Sequence, residues 1–177
     1  MTATDDRPVV VLDDDVQFLR MVERVLRSHG IRAELVTTPD LANAADVVAA
    51  INPRLVLVDV FMYGEAAGLS FVKLLRSRPE NFELPIVVTS GAHSELARQQ
   101  QFLRHHRCRV LPKPFGVDDL LGAVDLVRGA PYAELPADSF IMDVPQGAML
   151  PQQFSGLWAK LHGVSRESER HRVLPVR

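Results

Sequence analysis

Short apolar runs alternate with amphipathic stretches along the first 128 residues of the chain. The runs are five or six residues long, which is typical of strands in a parallel sheet that is covered on both faces. Between them, apolar residues recur three and four positions apart, which predicts helices with one buried face. The predicted strands are 8–12, 31–36, 55–59, 85–90 and 108–112, and the predicted helices are 15–29, 39–51, 67–77, 93–105 and 117–128.

Residues with special backbone preferences mark several of these boundaries. Gly30 stands just past the first helix, where glycine is favoured. Thr38 is predicted as the N-cap of the second helix, with Pro39 at the first helical position. That helix is expected to stop at Asn52, because the residue before a proline avoids helical backbone angles.

Five strands alternating with five helices predict an α/β fold. In such a chain the strands form a parallel sheet with helices on both faces, and the functional crevice lies beyond the carboxyl ends of the strands. The alternation stops near residue 130. Five prolines punctuate the extension 130–177, and within it only 153–163 has the pattern of a short amphipathic helix. We therefore predict one domain over 8–128 and a C-terminal extension.

Composition limits the classes of function. The 177 residues suffice for one ordinary domain with an appendage, and the formal net charge of −2 gives no general attraction to nucleic acid or anionic membranes. The single cysteine, Cys108, cannot form an intrachain disulfide. No apolar run approaches the roughly 20 residues that span a bilayer, and the N-terminal segment lacks the features of a signal peptide. These features predict a cytoplasmic protein.

Polar residues follow four of the predicted strands and should meet at one edge of the sheet. They are Asp13 and Asp14 after the first strand, Asp59 at the end of the third, Ser90 at the end of the fourth and Lys113 after the fifth. Carboxylates this close would raise one another's pKa unless a cation intervenes, and an oxygen-only donor set suits Mg²⁺. A lysine and a hydroxyl beside such carboxylates favour phosphoryl transfer, with a carboxylate as a candidate acceptor.

Four segments together resemble the receiver domain of a two-component response regulator. They are "LDDD" (12–15), "LVLVDVFMYG" (55–64), "PIVVTSG" (85–91) and "LPKPF" (111–115), in the order and spacing of that family. The resemblance implies a flavodoxin-like (βα)5 fold with strand order 2-1-3-4-5.

The same resemblance implies a role for each polar residue. Asp59 would be the phosphoacceptor, and Ser90 and Lys113 would assist the transfer. Mg²⁺ would be held by Asp13, Asp14, Asp59 and the backbone carbonyl of Phe61. The peptide bond before Pro114 is often cis in such domains.

The sequence departs from the family pattern at several points. Tyr63 stands where proline is expected, and the loop 61–68 is one residue longer before Gly68. Val110 occupies the position of the aromatic switch residue. Phe61 is bulky enough to shield an acyl phosphate from water, which leads to the hypothesis of a slowly hydrolysing phosphorylated state. A phosphate-release half-life of seconds would count against it.

Simpler interpretations apply to several of these residues. Asp13 and Asp14 could merely cap the first helix, and Asp15 is expected to do so. The pattern Asp13-x-Asp15 also fits haloacid-dehalogenase-like phosphatases. That family requires a small residue where Gln17 stands, and it leaves Asp59 unexplained.

Three other features are open to more than one interpretation. The run "RHHRCR" (104–109) is expected to be a solvated helix end, with a nucleic-acid contact as the alternative. Its adjacent histidines lack metal-ligand spacing, and Cys108 is predicted to be a small core residue. Trp158 lies on an apolar stripe in the extension, which would dock on the domain itself, on a second copy or on a partner.

Two functions follow from the sequence. The first is a response regulator that is not a turnover enzyme and that receives its phosphoryl group from a histidine kinase or histidine phosphotransfer protein. Its output would be protein–protein contact or homodimerisation, through the face formed by the fourth helix, fifth strand and fifth helix or through the tail. No DNA-binding output domain is predicted, because 130–177 is too short and too rich in proline. The second is a receiver-like scaffold with vestigial phosphorylation that binds a partner constitutively through the tail.

Overall fold

A five-stranded parallel sheet forms the centre of the domain that the structure describes. The computed structural model describes residues 5–125. The strands are β1 (Val9–Leu12), β2 (Ala33–Val36), β3 (Leu55–Asp59), β4 (Ile86–Ser90) and β5 (Cys108–Pro112). Their order across the sheet is β2-β1-β3-β4-β5, and every neighbouring pair is parallel. The predicted α/β class and strand order are confirmed.

Six helices in the described residues cover the two faces of the sheet. They are α1 (Val16–Ser28), α2 (Leu41–Ile51), α3 (Ala67–Arg76), α4 (His93–Arg98), α5 (Gln100–His105) and α6 (Val117–Asp125), with a short 3-10 turn at Pro79–Asn81. None of them is long and apolar enough to cross a membrane.

The sheet separates two hydrophobic cores, because successive strand side chains point to opposite faces. In β1, Val10 and Leu12 join the core beneath α2, α3, α4 and α5, whereas Val9 and Val11 join the core beneath α1 and α6. The first core includes Cys108, which is fully buried as predicted.

The two ends of α1 are as predicted. Asp15 is its N-cap, and the side chain accepts hydrogen bonds from the backbone N–H groups of Gln17 and Phe18 at 2.9 and 3.1 Å. Gly30 follows the helix with a φ of +71°, a value that favours glycine over residues with a Cβ.

The start of α2 differs from the prediction. Asp40, not Thr38, is the N-cap, and its carboxylate accepts a hydrogen bond from Asn43 N–H at 3.0 Å. Thr38 Oγ1 instead accepts from Asp40 N–H at 3.2 Å, so Pro39 lies before the helix. Both residues can cap, but the carboxylate also interacts favourably with the positive end of the helix dipole.

The predicted fourth helix, 93–105, is in fact the two short helices α4 and α5. They are joined at Gln99, whose φ of −89° and ψ of 6° lie outside the helical region. Each of the two helices buries one residue, Leu96 in α4 and Leu103 in α5. The polar run between them offers no apolar side chain that would hold a continuous helix against the sheet.

Strand register brings the carboxyl ends of the central strands side by side. Leu12 in β1 is paired with Val58, so the residue after β1 lies beside Asp59. Asp59 is in turn paired with Thr89 in β4, and Ser90 with Pro112 at the end of β5. The predicted helix 153–163 and Trp158 lie outside the described residues.

Candidate phosphoacceptor site

Asp13 provides a buried carboxylate at the end of β1. The residue is only 2% exposed, and its Oδ1 accepts a hydrogen bond from Asp15 N–H at 2.8 Å. The backbone that enters α1 thus holds one oxygen of this carboxylate in place. A buried carboxylate is costly unless hydrogen-bond donors or a cation compensate its charge.

Asp59 provides a second buried carboxylate, at the last position of β3. It is 7% exposed, and its Oδ2 accepts a hydrogen bond from Phe61 N–H at 2.9 Å. Its Oδ1 lies 3.4 Å from Thr89 Oγ1 on the neighbouring strand. The Phe61 N–H and the Thr89 hydroxyl thus hold the side chain at the sheet edge.

Lys113 connects these two carboxylates. Its Nζ lies 2.8 Å from Asp13 Oδ2 and 2.8 Å from Asp59 Oδ1. The ammonium group also lies 3.9 Å from the centre of the Phe18 ring, which is within the range of a cation–π contact. Three residues from three separate elements, Asp13, Asp59 and Lys113, thus meet as the strand ends predicted.

The backbone around Lys113 is fixed by β4. Lys113 N–H donates to the Ser90 carbonyl at 2.8 Å, and the peptide bond between Lys113 and Pro114 is cis, as the resemblance implies. The His93 ring nitrogen Nε2 lies 3.0 Å from the Lys113 carbonyl oxygen and, because that oxygen can only accept, donates to it. The lysine is therefore anchored at both its backbone N–H and its carbonyl.

The electrostatics of the site leave uncompensated negative charge. Burial raises the pKa of Asp59, and the nearby Asp13 carboxylate raises it further. The hydrogen bond and charge of Lys113 and the N–H of Phe61 oppose this shift without cancelling it. One ammonium group does not balance two buried carboxylates, and a further cation would offset the remaining negative charge.

Ser90 lies at the end of β4 and is 1% exposed. Its Oγ accepts a hydrogen bond from Ala92 N–H at 3.0 Å, which places the hydroxyl at the start of the β4–α4 loop. Ser90 therefore shares the strand-end edge with Asp59, as predicted. A role for its hydroxyl in phosphoryl transfer stays a prediction.

Asp14 is arranged differently from Asp13. It is exposed, and its Oδ2 accepts a hydrogen bond from the backbone N–H of Tyr63 at 2.6 Å. Tyr63 has a φ of +57°, and its hydroxyl lies 3.3 Å from Thr37 Oγ1. A proline at this position would have no N–H, so the departure from the family pattern at Tyr63 is what makes this bond available.

The donor set of the site fits Mg²⁺. Carboxylate oxygens are hard ligands, and the charge of the Asp13–Asp59 pair is only partly balanced by Lys113. As the side chains of residues 5–125 are placed, no three acidic, histidine or cysteine residues are close enough to enclose a metal. Asp14 is bound to Tyr63 and would have to exchange that partner for the ion. The Phe61 carbonyl as a ligand stays a prediction.

Two other departures from the family pattern, at Phe61 and Val110, lie in different surroundings. Phe61 is 38% exposed beside Asp59, so a shielding function also stays a prediction. Val110 is buried in the core beneath α4 and α5, and no aromatic residue stands at that position.

Sequence reasoning missed two contacts of the site, those of Thr89 and Phe18. Thr89 could have been found from the strand register, because it stands directly opposite Asp59. The spacing of Phe18 with Val22 and Leu26 predicts only that its ring lies on the apolar face of α1. Its contact with the Lys113 ammonium depends on how that helix packs, for which the sequence carries no local signal.

Comparison with known proteins identifies this arrangement. The sequence-family model of the response regulator receiver domain matches residues 9–125, about two thirds of the chain. The chain belongs to the response regulator receiver family. The receiver domain resembles the chemotaxis response regulator CheY4 of Vibrio cholerae, with a TM-score of 0.59 and 24% identity over 68% of this chain and 97% of that chain. It also resembles the receiver domain of nitrogen regulatory protein C, with a TM-score of 0.57 and 28% identity, over 70% of this chain and 92% of that chain.

Two curated relatives match the same receiver domain. The acid tolerance regulatory protein ActR of Sinorhizobium medicae is 24% identical over 119 residues, 67% of this chain and 58% of that protein. The DNA-binding transcriptional regulator NtrC of Klebsiella pneumoniae is 29% identical over 116 residues, 65% of this chain and 23% of that protein. The chain thus spans only part of the length of these relatives.

Proposed function

We propose that Asp59 accepts a phosphoryl group from the phosphohistidine of a histidine kinase or phosphotransfer protein. A carboxylate oxygen of Asp59 forms a bond to phosphorus while the phosphorus–nitrogen bond of the donor breaks, and the donor imidazole keeps the electron pair. The observation that carries the proposal is the position of Lys113 Nζ, 2.8 Å from both the Asp13 and Asp59 carboxylates.

The surrounding groups suit this reaction. When bound, Mg²⁺ would offset negative charge on the transferring group, and Asp13, Asp14 and Asp59 are the residues that would hold it. Lys113 can stabilise a phosphoryl oxygen electrostatically, and Thr89 and Ser90 provide hydroxyl groups at the same edge. The protein here is an acceptor of the phosphoryl group and not a turnover enzyme.

The phosphorylated state is expected to act on protein–protein contacts. A phosphoryl group at Asp59 adds charge and acceptor oxygens beside Ser90, from which the chain runs into α4. The contacts or dimerisation that would change are those of the surface formed by α4, α5, β5 and α6 or, alternatively, those of the tail. Phe61 would slow loss of the phosphoryl group, and a release half-life of seconds in purified protein would contradict that role.

The experiment is phosphorylation of the full chain by acetyl phosphate, with and without Mg²⁺, followed by intact mass and peptide mapping. We expect one phosphoryl group on Asp59, dependent on Mg²⁺ and absent in Asp59→Asn. Asp15→Asn is the matched control, because asparagine caps a helix as well as aspartate does. Modification of another residue, or of Asp59→Asn to the same extent, would overturn the proposal.

A second candidate is a scaffold that binds its partner without phosphorylation. It is favoured by the hydrogen bond between the Tyr63 N–H and Asp14, which occupies one of the expected metal ligands. Beryllofluoride with Mg²⁺, read out by oligomer size and by pull-down, separates the two functions. A change in assembly or partner binding on addition of beryllofluoride supports the phosphoacceptor. The scaffold is supported if beryllofluoride changes neither property and if Asp59→Asn still assembles and binds its partner as the wild type does.

A further inference from the structure

His93, the first residue of α4, contacts the backbone of the lysine at the Asp59 site. Its ring nitrogen Nε2 donates a hydrogen bond to the Lys113 carbonyl oxygen at 3.0 Å. The ring is half-buried, and the transfer reaction proposed above assigns it no role. The bond nevertheless joins the start of α4 to the residue that supplies the positive charge of the site.

Lys113 lies one residue beyond the end of β5. The last paired position of β4 and β5 is Ser90 with Pro112. Past that position, the Lys113 N–H still donates to the Ser90 carbonyl at 2.8 Å, and the Lys113 carbonyl accepts from His93. Both backbone groups of the lysine are therefore bonded to the segment 90–93, in which β4 ends and α4 begins.

The turn that carries His93 is itself held at two points. Ala92, the N-cap residue of α4, donates its N–H to Ser90 Oγ at 3.0 Å. Its carbonyl accepts from the N–H of Leu96 at 3.1 Å, and Leu96 is buried in the core beneath α4. The His93 ring thus reaches Lys113 from a turn that is bonded to the end of β4 and packed on the core.

Phosphoryl transfer would change the contacts of the Lys113 ammonium group. Before transfer, Nζ lies 2.8 Å from both Asp13 Oδ2 and Asp59 Oδ1. Once an oxygen of Asp59 is bonded to phosphorus, that side chain no longer carries the charge of a carboxylate, and Nζ has to contact a phosphoryl oxygen instead. A lysine side chain is flexible, so Nζ is well placed for this contact only if the backbone that carries it stays in position.

We infer that His93 is a positioning residue for phosphoryl transfer to Asp59. By holding the Lys113 carbonyl, its ring fixes the point from which the lysine side chain reaches the transferring group. The inference rests on the proposed function, because it concerns the rate of that reaction. If the ring merely satisfied the carbonyl, its loss would lower the stability of the domain without any effect that depends on the Lys113 ammonium group.

Three variants of the full chain test this role, with the rate of phosphorylation by acetyl phosphate and Mg²⁺ as the readout. His93→Gln keeps an amide N–H near the position of Nε2, whereas His93→Asn is one methylene shorter and leaves its amide short of the Lys113 carbonyl. We expect His93→Asn to react about fivefold more slowly than wild type, as loss of one net hydrogen bond predicts, and His93→Gln to restore the rate to within about twofold. His105→Asn is the matched control, because it makes the same change at an exposed histidine in α5 and should leave the rate unchanged.

Lys113→Gln separates positioning from a general loss of stability. If His93 acts through the lysine, His93→Asn should slow the reaction of the wild-type chain but should not slow that of Lys113→Gln further. Urea unfolding of each variant checks that every rate is measured on folded protein.

Each outcome decides for or against the role of His93. Equal rates for His93→Asn and wild type would overturn the inference and leave the proposed function intact. Equal slowing by His93→Asn and His93→Gln would also overturn it, as would the same slowing in the wild-type and Lys113→Gln backgrounds. A wild-type chain that takes no phosphoryl group on Asp59 would overturn the proposed function itself, and the inference with it.

Discussion

Gly68 allows the start of α3 to lie directly against the end of β3, and substituting alanine there tests this packing. A Cβ at Gly68 would lie 1.9 Å from the Asp59 carbonyl oxygen and 2.8 Å from the Asp59 carbonyl carbon. Both are backbone atoms, so no side-chain rotation relieves the overlap. The helix and the strand would have to separate by about 1.5 Å to restore ordinary contact at 3.4 Å.

The expected cost follows from two opposing effects. Overpacking of a closely packed site costs about 1 to 3 kcal/mol, and a backbone clash belongs at the upper end of that range. Replacing glycine by alanine in a helix returns about 1 kcal/mol. We therefore expect Gly68→Ala to lower the free energy of unfolding by about 2 kcal/mol. Phosphorylation should also slow, because the strand end that carries Asp59 is displaced.

Urea unfolding followed by circular dichroism measures the stability effect. With an m-value of about 1.5 kcal/mol/M, the midpoint should fall by more than about 1 M. Gly122→Ala in α6 is the matched control, since a Cβ there meets no atom within 4 Å and the residue is exposed. That variant should gain about 0.5 to 1 kcal/mol. If Gly68→Ala were as stable as the wild type while Gly122→Ala gained stability, the close approach at Asp59 would be refuted.

Three further predictions concern other features of the domain. In EDTA at pH 7, Asp59→Asn should unfold at a higher urea concentration than wild type, because burial raises the pKa of Asp59 and makes its carboxylate less stable there than in water. The stability difference between the variant and wild type should grow as pH rises from the unfolded pKa of 3.8 through the folded pKa, since wild type loses stability over that range. Equal urea midpoints at pH 7 would contradict this. Cys108, with its pKa raised to about 12 by burial, should resist a thiol reagent at pH 8 in native protein and react fully in urea; rapid labelling of native protein would show that the strand is accessible. Asp15→Ala should cost about 1 kcal/mol in a urea titration through loss of the α1 cap, whereas Asp15→Asn should cost little, and similar losses for both would point away from capping.

The sequence by itself determined the alternation of strands and helices, and from it the place of the site. Asp59 was identifiable because a carboxylate at the end of a buried apolar run has no packing function of its own. Asp13 and Lys113 followed because parallel strands present their carboxyl ends at one edge. The N-cap at Asp15 was likewise predictable from the sequence, since it depends on backbone N–H groups only two and three residues away.

The tertiary structure decided what depends on how separate elements approach one another. The bond from Tyr63 to Asp14 joins residues 49 apart, and the contact of Lys113 with Phe18 depends on the rotation of α1 against β5. The helix breaks at Gln99 because a polar segment without a continuous apolar face gains too little stabilisation from burial against the sheet to remain one continuous helix. Local patterns encode spacing and burial along one element, whereas these contacts depend on distances that only packing sets.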